Sequence, residues 1–224
     1  MNAKKAAAEK AVEAIVNGMI VGLGTGSTAK FAIEKIGERI ALEGLQIKAI
    51  ATSSGSEALA RQVNIPIISF AEIDMIDITI DGADEVDENL NLIKGGGGAL
   101  LREKIVAANS KKMIVVADDS KLVKQLGKFP LPVEVITFGF EAVLKKLEKL
   151  GCKAVLRMKD GAVYITDNGN YIIDCAFNKI EQPASLHDQI NSIVGVVENG
   201  LFIHLANKVI VASQDGNTFI IERN

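Results

Sequence analysis

The chain has 224 residues, 48% of them hydrophobic, which is enough for one large domain or a large domain with a small companion. A formal net charge of −3 offers no basic surface for nucleic acid and no polybasic patch for a membrane, and no apolar run nears the roughly 20 residues that span a bilayer. The first residues carry charges and do not form a secretory leader, so Cys152 and Cys175 read as reduced thiols of a cytoplasmic protein.

Ala11, Val12, Ile15 and Val16 share one helical face, with Gly18 as the stop. Residues 19–23 form a short apolar run, the pattern of a parallel strand buried on both faces. The run empties into Gly22-Leu23-Gly24-Thr25-Gly26-Ser27-Thr28 and then a helix with Ala32, Ile33, Ile36 and Ile40 on one side. A glycine- and hydroxyl-rich turn at a helix start is an anion site, because free N–H groups and the helix dipole point at the ligand. The spacing G-x-G-x-G-S-T is neither the dinucleotide fingerprint nor a Walker loop. A second strand at 46–51 ends in Thr52-Ser53-Ser54-Gly55-Ser56, another hydroxyl-rich turn, where a dinucleotide site wants an acidic residue. Two such turns suit a small phosphate ester better than NAD.

Strands are expected at 66–69, 76–80, 91–93 and 113–117, and a helix at 99–108. The strand at 76–80 delivers Asp81-Gly82-Ala83-Asp84. Ten residues beyond Asp84, Lys94 opens a run of four glycines, and Glu103 follows inside the helix. Lys121 follows the strand at 113–117 and falls on the same sheet edge. Ligands of open α/β sheets bind at that carboxyl edge. A DGAD turn or a glycine run alone is ordinary loop chemistry. Three carboxylates and a lysine beside glycine turns are the parts for acid–base work on an anionic substrate. His187 and His204 lie far down the chain, which argues against a histidine zinc site or a Ser-His-Asp triad.

The pattern changes after Phe129-Pro130-Leu131-Pro132. Strands at 133–137, 155–158, 162–166 and 171–174 and helices at 140–150 and 183–193 make an α+β block, with Asp167-Asn168-Gly169-Asn170 as a hairpin turn. Strands at 208–213 and 218–221 then return to the first sheet. The expected fold is α/β: a Rossmann-like, mostly parallel sheet domain over 1–128 and 207–224, with a smaller inserted α+β domain, ferredoxin-like, over 129–206.

GLGTGSTA, TSSGSE, DGADEVD, KGGGGALLREK and GKFPLPVEV, followed by TDNGN and VGVVENGLF, together resemble the type A ribose-5-phosphate isomerase family. The resemblance runs in order through nearly the whole chain. Gly98 departs from it, since some relatives carry alanine there, but the charged positions are untouched. The resemblance implies interconversion of D-ribose 5-phosphate and D-ribulose 5-phosphate in the non-oxidative pentose phosphate pathway. It implies no cofactor, no metal, a sugar phosphate as ligand, and a homodimer or homotetramer with the small domain as the oligomerisation element. The family's base falls on Glu103, with Asp81, Asp84 and Lys94 completing the catalytic set. Its substrate-contacting segments fall on Thr25, Gly26, Ser27 and Thr28; on Asp81, Gly82, Ala83 and Asp84; on Lys94, Gly95, Gly96 and Gly97; and on Lys121.

The chemistry accounts for these residue types. Aldose and ketose differ by one carbon proton and one oxygen proton, exchanged through a cis-enediol or enediolate. One carboxylate can serve both carbons, two more can open the ring and move hydroxyl protons, and a lysine can oppose the oxyanion or hold the phosphate. The rival readings are an amino-sugar-phosphate deaminase/isomerase, a CoA transferase and a sugar-phosphate-sensing module. A deaminase would use a ring-opening histidine, which these motifs lack. A CoA transferase would use its glutamate as a nucleophile on an acyl-CoA, and a sensing module would lack the base and add a DNA-binding segment.

Overall fold

A computed structural model describes residues 3–213 and 217–223; residues 1–2, 214–216 and 224 of the expected first domain lie outside them. The chain divides into two compact units: Met1–Ala83 with Arg102–Leu122 and His204–Asn224, and Asp84–Leu101 with Val123–Ile203. The stretches 84–101 and 123–128, placed in the larger domain by the sequence, thus count with the second unit.

In the first unit, five short apolar segments pair in parallel. From one edge to the other the order is Thr218–Glu222, Lys208–Ala212, Met113–Asp118, Ile78–Gly82, Ile20–Leu23 and Lys48–Ala51, with only Thr218–Glu222 antiparallel. Successive strand residues face opposite sides, and the core clusters follow that rule. Ala49 joins Ala7, Ala8, Ile33 and Ile36 of the helices Ala3–Val12 and Ser27–Glu43, while Ile50 joins Ile76 and Val106 of the helix Leu100–Ala108. Helices therefore cover both faces, which is why the strands read as unbroken apolar runs.

In the second unit, Leu131–Val135, Phe140–Glu148, Lys153–Leu156, Tyr171–Ala176, Pro183–Asn191 and Val196–Asn199 form a β-α-β-β-α-β unit. Its antiparallel sheet has the order Val196–Asn199, Leu131–Val135, Tyr171–Ala176, Lys153–Leu156, which is the ferredoxin-like arrangement. Its core includes Val133, Val135, Val143, Leu147, Ile173 and Ile190. A second, three-stranded sheet joins Glu85–Val86, Leu92–Ile93 and Leu201–Phe202.

Several local expectations are corrected. The first helix ends at Val12, because Arg39 Nη1 donates to the carbonyls of Val12 and Ile15 at 2.8 and 3.0 Å and closes that end from a distant element. Residues 66–69 are no strand. Only Ile67 bridges Ala49, Pro66 has no N–H to give, and Ser69 with Glu72 builds a capping box that turns the chain away. The expected strand at 162–166 shrinks to Ala162–Val163 paired with Met158–Lys159, plus a single bridge from Ile165 to Tyr171. Among the described residues no helix is long and apolar enough to cross a membrane.

Candidate active site

The strand order of the first unit reverses at Ile20–Leu23, which lies between Lys48–Ala51 and Ile78–Gly82. Loops leaving neighbouring strands in opposite directions open a crevice there, the switch point where α/β sheets bind ligands. Thr25 and Asp81 meet at that point. Thr25 N–H donates to Asp81 Oδ1 at 3.0 Å, and Gly82 N–H donates to the same oxygen at 2.7 Å. Asp81 is fully buried, and Gly24 crosses it so closely that a Cβ at that position would lie 2.2 Å from Oδ1. The carboxylate is therefore held in one orientation by backbone donors, and residue 24 has to be glycine.

The second hydroxyl turn supports the first. Ser53 caps the helix Ser54–Gln62 and accepts the Ser56 N–H. Thr25 Oγ1 lies 2.7 Å from Thr52 Oγ1, donates to Ser53 Oγ at 2.8 Å and sits 3.2 Å from Ser56 Oγ. Ser56 in turn donates to the Gly24 carbonyl at 2.7 Å. The sequence reading of two separate anion turns is thus revised: Thr52, Ser53 and Ser56 form a buried web that braces Thr25. Gly26 and Ser27 remain exposed and Thr28 half-buried at the start of Ser27–Glu43. Thr25, Gly26 and Lys30 line a hollow of about 210 Å³ together with Ser53, Gly55 and Ser56. Lys4, which the sequence reading missed, donates from Nζ to Ser27 Oγ at 3.1 Å and brings a cation to this turn.

Glu103 is 4% exposed in the first turn of Leu100–Ala108. One turn later on the same face, Val106 packs on Gly22 in the middle of its strand. At the helix's far end, Asn109 O accepts the Ile76 N–H at 2.9 Å, at the amino edge of the sheet. The helix therefore runs from the carboxyl edge to the amino edge, and Glu103 lies toward the edge that carries Asp81. Lys121 closes the turn after Met113–Asp118, whose Val115 is the register partner of Asp81, so it too stands at the carboxyl edge.

In the second unit, Lys94 follows the strand Leu92–Ile93 and is 2% exposed, with Nζ 5.3 Å from the centre of the Phe202 ring. Its N–H donates to Gly200 O at 2.9 Å, which gives the ENGLF stretch a role. The glycine run behind it folds tightly: Gly95 and Gly98 have φ of 100° and 84°, and Gly98 N–H donates to Gly95 O at 2.9 Å. Asp84 Oδ2 accepts the Gly96 N–H at 2.8 Å. Ala83 and Gly82 serve as the chain link between Asp81 and Asp84.

Sequence reading also missed the side chains on the other side of the glycine run. Arg157 Nη1 donates to Gly95 O at 2.9 Å, and Tyr164 Oη reaches Gly97 O at 3.4 Å. Burial, reinforced by the Asp167 charge, pushes the Tyr164 phenol above its ordinary value, so it stays a donor at neutral pH. The TDNGN turn carrying this segment is tied to the PLPVEV strand: fully buried Glu134 accepts from Thr166 Oγ1 and Asn170 Nδ2, both at 2.9 Å.

Residues 48–216 match the family described as ribose 5-phosphate isomerase A (phosphoriboisomerase A). A ribose-5-phosphate isomerase A of Bacillus cereus is 54% identical over 217 residues, covering 96% of this chain and 98% of that one. The solved ribose 5-phosphate isomerase A of Methanocaldococcus jannaschii superposes with a TM-score of 0.94 at 45% identity, over 99% of each chain. A D-ribose-5-phosphate isomerase solved in complex with phospho-erythronic acid gives 0.96 at 42% identity, over 100% of each. The chain belongs to the ribose 5-phosphate isomerase A family.

Proposed function

We propose that this chain interconverts D-ribose 5-phosphate and D-ribulose 5-phosphate. The observation that carries the reading is Asp81, its carboxylate fixed by backbone donors at the switch point, with buried Glu103 on a helix that starts toward the same edge. Glu103 takes the proton from C2 of the open aldose and returns it to C1 of the enediolate, and does the reverse from the ketose. Asp81 and Asp84 open the furanose ring and move the hydroxyl protons. Lys94 supplies positive charge against the enediolate oxygen or the phosphate. The phosphate binds at the Thr25–Thr28 turn, where free helix N–H groups, the hydroxyls of Ser27 and Thr28, and the cation of Lys4 suit a dianion, while Lys121 adds positive charge to the same carboxyl edge of the sheet. The relative solved with phospho-erythronic acid supports a phosphorylated sugar as the ligand class.

The protein works in the cytoplasm as a homodimer or homotetramer. Phe138 and Val194, 88% and 85% exposed on the second unit, are apolar residues that a second copy would cover. The test is direct assay of the purified chain with ribose 5-phosphate, alongside an amino-sugar-phosphate deaminase assay. Formation of ribulose 5-phosphate with no ammonia release supports the reading; the opposite result replaces it with the deaminase.

A further inference from the structure

Arg157 and Asp84 grip opposite ends of one peptide group. Arg157 Nη1 donates to the Gly95 carbonyl at 2.9 Å, and the N–H of the same peptide, on Gly96, donates to Asp84 Oδ2 at 2.8 Å. A planar trans peptide carries its C=O and N–H antiparallel, so pulling the oxygen toward the guanidinium aims the hydrogen at the carboxylate. Arg157 Nη1 also reaches the Gly96 carbonyl at 3.3 Å, which turns the Gly97 N–H away from the guanidinium by the same rule. A side chain at residue 96 would lie 2.6 Å from Asp84 Oδ1, so the close approach needs glycine.

Arg157 is itself fixed. Its Nε donates to Asp174 Oδ2 at 2.9 Å and its Nη2 to Oδ1, a two-pronged pairing on the central strand Tyr171–Ala176. Its guanidinium lies 5.9 Å from the centre of the Tyr164 ring, and Tyr164 N–H returns to Arg157 O at 2.9 Å. A cation on the carbonyl also polarises the peptide and strengthens the N–H donor at its other end. The whole chain of contacts runs from the sheet, through Asp174 and Arg157, to the peptide and Asp84.

We propose that Arg157 is a positioning residue for the isomerisation, acting through the 95–96 peptide to hold Asp84 in place. The proposal rests on the isomerase reading above, in which Asp84 moves hydroxyl protons and Glu103 moves the carbon proton. Misplacing Asp84 then slows conversion of ribulose 5-phosphate to ribose 5-phosphate more than it slows exchange of the C1 proton with deuterated solvent. A variant that merely lowers the folded or active fraction reduces both rates by the same factor.

The experiment measures both rates for wild type, Arg157→Met and Arg157→Lys. The lysine keeps a cation for Asp174 but has no planar fork to span Asp174 and the Gly95 carbonyl together, so it keeps the test open if Arg157→Met fails to fold. Wild-type conversion is measured first, and its absence would refute the isomerase reading itself, whatever the variants do. The expected result is a ratio of exchange to conversion raised roughly tenfold in both variants, less than the ~10²–10⁴ for deleting an acid–base group outright. Equal loss of both rates, or no loss of either, would overturn the proposal.

Discussion

At Thr28 the chain presents a half-buried hydroxyl at the start of a 17-residue helix, next to exposed Ser27 and the cation of Lys4. If this turn holds the phosphate, Thr28→Ala removes one hydrogen bond to a charged group. KM for ribose 5-phosphate should rise, with a loss of roughly 1.5–3 kcal/mol. Steady-state kinetics that stay at the wild-type values would leave the hydroxyl a structural role only. Gly98 is a different case. The family resemblance treats alanine there as harmless, yet φ is 84° and a Cβ would meet Tyr164 Oη at 2.2 Å. Gly98→Ala should destabilise the fold by about 1–3 kcal/mol, and a double-mutant cycle with Tyr164→Ala should recover part of that loss. Additive losses would mean the tyrosine exerts no constraint. At this scale the charged positions and the Gly-Thr-Gly turn were legible, because such residues are costly in a plain core. Arg157 and Tyr164 were not, since their role depends on contacts with residues some 60 positions away, and nothing in RMKDGAVY announces a partner.

Among elements, the legible ones were those whose local pattern agrees with their burial. The parallel strands announced themselves as apolar runs because helices cover both faces. Elements of two residues, such as Glu85–Val86 and Leu201–Phe202, carry no period to read, and their pairing across the chain decides them. The start of the strand Ile20–Leu23 is another contact that sequence hides. Asp77 Oδ2 accepts the Ile20 N–H at 2.8 Å while Oδ1 takes Lys111 Nζ at 2.7 Å. The Lys111 hydrogen bond, then the Ile20 N–H, hold the Asp77 carboxyl below the usual carboxylate range. A depressed folded-state pKa contributes stability that is present above the unfolded value of ~3.9 and is lost as pH falls through the folded one. Asp77→Asn should therefore cost about 1–2 kcal/mol at neutral pH, at the low end for a charged hydrogen bond because Lys111 is exposed. Urea unfolding should show the gap to wild type closing below about pH 4. A gap that persists unchanged in acid would mean the pair contributes nothing through its charge.

For the molecule as a whole, the order of motifs indicated the family and the main sheet, but not how the chain is shared between its units. The composition shift at Phe129-Pro130-Leu131-Pro132 marks one passage into the second unit. The earlier excursion over 84–101 leaves no such mark, because Leu92–Ile93 finds its strand partner in Leu201–Phe202 more than a hundred residues later. That excursion carries Asp84 and Lys94, and the chain returns to the first unit at Arg102, directly before Glu103. The isomerisation proposed for this chain depends on Glu103 as the group that moves the carbon proton. Ribulose 5-phosphate cannot close to a furanose through its C2 carbonyl, so exchange of its C1 proton with deuterated solvent reports the base without any ring-opening step. Glu103→Gln keeps the side chain's size but removes its basic oxygen. This exchange should fall by ~10²-fold or more in the variant while substrate still binds. Exchange at near the wild-type rate would contradict that role for Glu103 and move the role of base to another carboxylate.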